Sequence, residues 1–146
     1  MVILNNHTSK SQWCCGPNDG DGLWYNEEYP EEKFFECLRE MAKRYRNNPR
    51  VIGIDLRNEI RRAGLKAPTW GSGKKDTDWR IAAEIAGNQV LEIAPHWLIF
   101  VGGIDYQLDF TNVKNAPCRL NVPNKLVYTG HFYGFSWVFG MWDIRT

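Results

Sequence analysis

At 146 residues and 43% hydrophobic content, the chain has the length and composition of one ordinary domain with its own core. The 18 Lys and Arg residues nearly balance 17 Asp and Glu residues, and a net charge of +1 argues against a nucleic-acid-binding surface. The apolar runs are too short to span a membrane. We therefore expect a single domain over residues 1–146, with neither nucleic acid nor membrane as a partner.

The first half of the chain alternates apolar strands with one amphipathic helix. Residues 2–4 are a short buried strand, and residues 9–29 are a long loop rich in Gly, Asn and Asp. Pro30 opens a helix at its first helical position, where the missing N–H is harmless. The apolar residues of this helix recur at helical spacing: Phe34, Leu38, Met41, Ala42 and Tyr45. Residues 51–56 are a second strand whose apolar continuity predicts burial on both faces.

The second half repeats this alternation. Asp76 or Thr77 caps a second helix, which ends at Pro95. Its buried stripe is Trp79, Ala82, Ala83, Ala86, Val90 and Ile93. Residues 97–101 and 126–131 are strands, and the segment between them is mostly irregular with one short helix. Strands that alternate with helices predict an α/β fold with a parallel sheet and right-handed crossovers.

Polar residues follow three of these strands. Asn58 and Glu59 follow the second strand, His7 follows the first, and His131 and Tyr133 follow the fourth. In a (βα) barrel the carboxyl ends of the strands converge on the face where chemistry happens. A carboxylic acid beside an amide suits sugar chemistry, because the acid can protonate a glycosidic oxygen while the amide holds a ring hydroxyl.

Two plainer interpretations stand beside this one. Glu59 could be a surface carboxylate paired with Arg57, Arg61 or Arg62. The aromatic residues Trp13, Trp24 and Trp70 are equally consistent with stacking on sugar and with covering the barrel mouth, whereas Trp79 and Trp97 are expected in the core.

Four cysteines are present, Cys14, Cys15, Cys37 and Cys118, and their spacing matches no zinc-binding pattern. We expect small buried residues or disulfide members, with no metal site. The adjacent Cys14 and Cys15 are expected to pair outward more easily than with each other.

The strand-end motifs resemble those of glycoside hydrolase family 5, the cellulase-type (βα)8 enzymes, and most of all its eukaryotic plant and fungal members. The resemblance runs in order to about Trp137 and rests on residues 2–9, 13–15, 51–59 and 131–133. It implies a partial barrel of about four βα units, equivalent to strands 3 to 6. It also implies a retaining endo-β-glycanase or β-glucosidase type of activity on β-linked glucan, without a cofactor.

The resemblance also implies roles for individual residues. Glu59 is the general acid/base, Asn58 binds the sugar 2-hydroxyl, and His7 lies at the pocket floor. His131 tunes the acid, while Tyr133 usually orients the nucleophile. Trp13 and Trp137 complete the expected sugar-contacting residues.

The chain departs from the family pattern at two places. Ile60 stands where the family usually has proline after the Asn-Glu pair, and no Glu occurs after Glu92 to serve as the nucleophile. Asp143 is the one acidic residue beyond Tyr133, in a context unlike the nucleophile strand. The alternative function is therefore a non-catalytic carbohydrate-binding or interaction protein derived from the same barrel.

A half-barrel is expected to expose two sheet edges. Val51, Ile54, Ile99, Val101 and Val127 are then only partly covered. Partners are a polysaccharide substrate and either the remainder of the barrel or a second copy of the chain. Secretion is expected, although no signal peptide is visible.

Overall fold

The computed structural model describes residues 1–12, 14–16 and 18–133. It contains one four-stranded sheet in the order β1-β2-β3-β4, and every neighbouring pair of strands is parallel. The elements are β1 (Val2–Asn5), α1 (Glu31–Tyr45), β2 (Val51–Asp55), α2 (Trp79–Ile93), β3 (Leu98–Gly102), α3 (Ile104–Gln107) and β4 (Leu126–Thr129). The predicted α/β alternation and parallel sheet are confirmed.

Two helix starts differ from the predicted positions. Pro30 precedes α1 as its extended N-cap residue, so the helix itself begins at Glu31. Asp78 caps α2 in place of Asp76 or Thr77, and its carboxylate accepts hydrogen bonds from the amides of Arg80, Gly71 and Gly73. Because one carboxylate satisfies both the helix end and the preceding loop, the cap falls at residue 78.

The helices pack on one face of the sheet and cover its central residues. Ile54, Ile99 and Val101 have no exposed surface, and Val51 is 5% exposed. Gly87 of α2 brings the helix close to β3, since a Cβ atom there would lie 3.1 Å from Ile99 Cγ2. The expectation that these four strand residues are only partly covered is therefore wrong. Trp79 and Trp97 lie in the core as predicted.

The opposite face of the sheet is the open one. Side chains of directly paired residues share a face, so Ile3, Gly53 and Leu98 lie in one row, and Asp55 and Phe100 lie in the next. Leu98, Phe100 and Val127 are half-buried, and Ile3 is 45% exposed. In a closed barrel this face is the packed interior. Within the described ranges no helix is long and apolar enough to cross a membrane.

We predict that the isolated chain self-associates through this open face and the edge of β1. Ile3→Lys should weaken association roughly tenfold or more, because burying an isoleucine contributes about 1.5–3 kcal/mol and a lysine opposes strand pairing. Sedimentation velocity across a concentration series measures the effect. Leu65→Lys is the matched control, since Leu65 is fully exposed in a loop away from the sheet. A concentration-independent wild-type monomer with steep cooperative unfolding would contradict the prediction.

Candidate active site

The Glu59 side chain, which follows β2, hydrogen-bonds two residues that follow β4. Its Oε1 lies 2.9 Å from His131 Nδ1 and accepts a 2.6 Å hydrogen bond from the Tyr133 hydroxyl. Glu59 is 8% exposed, whereas His131 is half-buried and Tyr133 lies at the surface. The structure therefore brings these three predicted residues together. The tyrosine hydroxyl, which the resemblance assigns to the nucleophile, here donates to Glu59.

The contact with Glu59 controls the ionisation of Tyr133. The hydrogen bond to the carboxylate, followed by burial, raises the pKa of Tyr133 to about 12. Deprotonation would place a second negative charge beside Glu59 and remove the donated hydrogen. Tyr133 is therefore a hydrogen-bond donor to the carboxylate throughout the neutral range.

The nearby arginines have other partners than the Glu59 carboxylate. Arg57 is fully buried and pairs with Asp21 at 3.0 Å. Arg61 pairs with Asp19 and donates to the Glu59 main-chain carbonyl at 2.9 Å. These pairs anchor the long loop before α1 to the end of β2, and they leave the carboxylate to the histidine and the tyrosine.

Asn58 and His7 lie beside the Cys14–Cys15 pair. The Asn58 amide nitrogen donates to Cys14 Sγ at 3.5 Å and to Cys15 Sγ at 3.3 Å. His7 is exposed, and its Nδ1 lies 2.9 Å from Asn5 Oδ1. A main-chain bond of 3.0 Å from Asn58 N–H to the Asn6 carbonyl joins the two strand ends. His7 and Asn58 thus occupy neighbouring positions on the predicted face.

Cys14 and Cys15 form a disulfide with each other across a cis peptide bond. The expectation of outward pairing is wrong, because the two neighbouring cysteines are paired with each other. His7 and the two sulphurs lie within 4.8 Å of one another. Paired sulphurs are not thiolates, however, and a thiolate is the form that ligates metal. Cys37 and Cys118 are free.

The four tryptophans considered for contact with sugar divide into two groups. Trp24 and Trp70 are buried, and their ring nitrogens donate to Glu31 Oε1 and to the Ala116 carbonyl, both at 2.7 Å. Burial and these bonds support the covering role for both. Trp13 and Trp137 lie outside the described residues, so their predicted contact with sugar stays a prediction.

Asp55 is a site residue that the sequence reasoning missed. Its Oδ2 accepts a 3.0 Å hydrogen bond from the Asn5 amide, while its buried Oδ1 has no hydrogen-bond partner among the residues that the structure describes. Burial raises the pKa of Asp55 to about 6, against the opposing effects of the Asn5 bond and the charge of His131. Its place at the end of the apolar run before Asn58 and Glu59 was the available signal.

Comparison with known proteins identifies the family. A family model described as cellulase (glycosyl hydrolase family 5) matches residues 1–144. An endoglucanase of Paenibacillus polymyxa is 39% identical over 145 residues, covering 92% of this chain and 34% of the relative. The major extracellular endoglucanase of Xanthomonas campestris pv. campestris is 40% identical over 144 residues, covering 91% of this chain and 28% of the relative.

Solved structures agree on the fold. An endocellulase from Pyrococcus horikoshii, in complex with cellotetraose, is similar with a TM-score of 0.77 and 35% identity over 91% of this chain and 40% of that chain. The four parallel strands and their helices match part of a (βα)8 barrel, as predicted. The chain spans about a third of the length of the curated relatives named above.

Asp55 is expected to make the stability depend on pH. Its pKa is about 6 in the folded chain and about 3.9 when unfolded. The folded chain therefore binds more protons between these values, and the free energy of unfolding falls as pH rises through this window. The loss amounts to about 3 kcal/mol and is complete above the folded pKa.

Chemical denaturation from about pH 4 to 7 measures this loss, and Asp55→Asn should remove it. Asp76→Asn is the matched control, since Asp76 is exposed in a loop and its substitution should leave the pH dependence as it is. A wild-type slope retained in Asp55→Asn would show that another group causes the effect.

Proposed function

The chain belongs to the cellulase family, glycosyl hydrolase family 5, and we propose that it carries the general acid/base of a retaining β-glycanase. The observation that supports this most is the buried Glu59 carboxylate bound by His131 and Tyr133. A carboxyl group in such a site can give up and regain a proton during glycoside cleavage.

Glu59 has two successive tasks in this proposal. It first protonates the glycosidic oxygen, and it then removes a proton from the water that releases the covalently bound sugar. Both hydrogen bonds from His131 and Tyr133 are made to Oε1. We therefore assign the proton in transit to Oε2, with Oε1 held in place by the two donors.

The nucleophile is proposed to come from outside this chain. Retention requires a second carboxyl group about 5–5.5 Å from the acid. No Glu follows Glu92 in the sequence, and Asp143 lies outside the described residues. In the longer relatives the additional two thirds of the length offer room for the missing strand.

A β-linked glucan is the proposed substrate, and the related endocellulase in complex with cellotetraose supports this choice. We assign Asn58 to a sugar hydroxyl near the cleaved bond and His7 to the pocket floor, because both flank the acid at neighbouring strand ends.

An extracellular location is proposed from the name of the Xanthomonas relative. Because no Glu follows Glu92 to serve as the nucleophile, one alternative function is a non-catalytic carbohydrate-binding protein.

Complementation distinguishes these two functions. The chain alone should not hydrolyse barley β-glucan, carboxymethylcellulose or aryl β-glucosides, because no Glu follows Glu92 in the sequence to serve as the displacement carboxylate. Mixing or co-expressing it with the remaining barrel segments of the Paenibacillus relative should produce hydrolysis. Glu59→Gln should lower kcat of that assembly by about 10²–10⁴-fold, the usual contribution of general acid–base catalysis.

Glu92→Gln is the matched control, because Glu92 is an exposed carboxylate on α2, and it should leave kcat unchanged. Robust turnover by the chain alone would mean that Asp143 or a second copy supplies the nucleophile. An assembly that binds cellotetraose but does not hydrolyse it would support the carbohydrate-binding alternative.

A further inference from the structure

We infer that Gln107 is a positioning residue for the Glu59–His131 pair. The inference rests on the proposed function for its catalytic meaning, but its geometry can be tested separately. Gln107 ends the short α3 turn, which lies between β3 and the irregular segment before β4. Neither its spacing nor its neighbours in the sequence mark it as part of a site.

Three hydrogen bonds of Gln107 connect the ends of β2 and β4. Its Oε1 accepts from the Glu59 main-chain N–H at 2.9 Å, and its Nε2 donates to the Thr129 carbonyl at 3.4 Å. Its own carbonyl accepts from the His131 N–H at 3.3 Å. A carboxamide is suited to this place because it accepts and donates at once. Both Glu59 and His131 are thus held by one residue.

The side chain of Gln107 is fully buried, so loss of its partners would leave polar groups unsatisfied. The backbone is also constrained, since Gln107 has φ of 61° and Glu59 has φ of 47°. Such values are uncommon for residues other than glycine and persist where the surroundings determine them. A further bond of 3.0 Å from the Tyr106 N–H to the Ile60 carbonyl supports the same junction.

Gly102, the last residue of β3, provides the space that Gln107 occupies. A Cβ atom at position 102 would lie 2.3 Å from Gln107 Cγ and 2.6 Å from its Cδ. Any larger residue there would displace the carboxamide. The glycine therefore allows a side chain from the following turn to reach across the end of β3 and to connect the strands on either side of it.

The test measures hydrogen–deuterium exchange of the Glu59 main-chain amide at residue resolution. It uses the purified full chain in whichever oligomeric state it adopts in solution. Gln107→Met keeps the length of the side chain but not its hydrogen bonds, and it should accelerate exchange of this amide about tenfold. Gln107→Glu keeps an oxygen that accepts from the Glu59 N–H whether the carboxyl group is charged or neutral, and it loses the donated bond to the Thr129 carbonyl when charged. This variant should therefore retain most of the wild-type protection of the Glu59 amide, in contrast to the methionine variant, at about pH 8 and at about pH 4.

Gly102→Ala is the second variant, because it displaces the carboxamide without changing Gln107. It should accelerate exchange of the Glu59 amide in the wild-type background and add nothing further in a Gln107→Ala background. The amide of Ala83 within α2 is the control and should keep its wild-type rate. Unchanged exchange of Glu59 in Gln107→Met or in Gly102→Ala would overturn the inference. Hydrolysis is not measured in this test, so failure of the proposed function would leave its outcome unaffected.

Discussion

The Glu59 carboxylate connects two strands that are not neighbours in the sheet. β2 carries Glu59, β4 leads to His131 and Tyr133, and β3 lies between them. This contact is possible because parallel strands present their carboxyl ends at one edge and because β3 ends in glycine. The space above β3 is then filled by the Gln107 carboxamide, which fixes the distance between the flanking strand ends.

Two buried ion pairs also hold the end of β2, and they connect it to the loop before α1. Arg57 and Arg61 extend from the β2 end toward the loop before α1, where Asp21 and Asp19 neutralise them. Removing one member of such a pair would leave an uncompensated buried charge. The loop that carries the Cys14–Cys15 disulfide is therefore anchored next to Asn58, and the end of the sheet near Glu59 is built from residues far apart in the sequence.

Much of this arrangement could be predicted from sequence, because apolar runs followed by polar residues mark strand ends. That pattern predicts that Asn58, Glu59, His7, His131 and Tyr133 lie at strand ends on one face. It could not locate Gln107, which lies in a segment without periodicity, or the Cys14–Cys15 bond, which depends on local backbone geometry. Apolar continuity also did not indicate which face of each strand the helices cover, and Asp55 was overlooked for that reason.

The dependence of hydrolysis on the leaving group tests the central claim, that Glu59 donates the proton to the departing oxygen. In the complemented barrel, Glu59→Ala should lower kcat/KM for a phenyl β-cellobioside by about 10²–10⁴-fold. It should have little effect on a dinitrophenyl β-cellobioside, whose leaving group departs without protonation. An equal loss for both substrates would contradict the claim, because it would show that Glu59 contributes something other than acid catalysis.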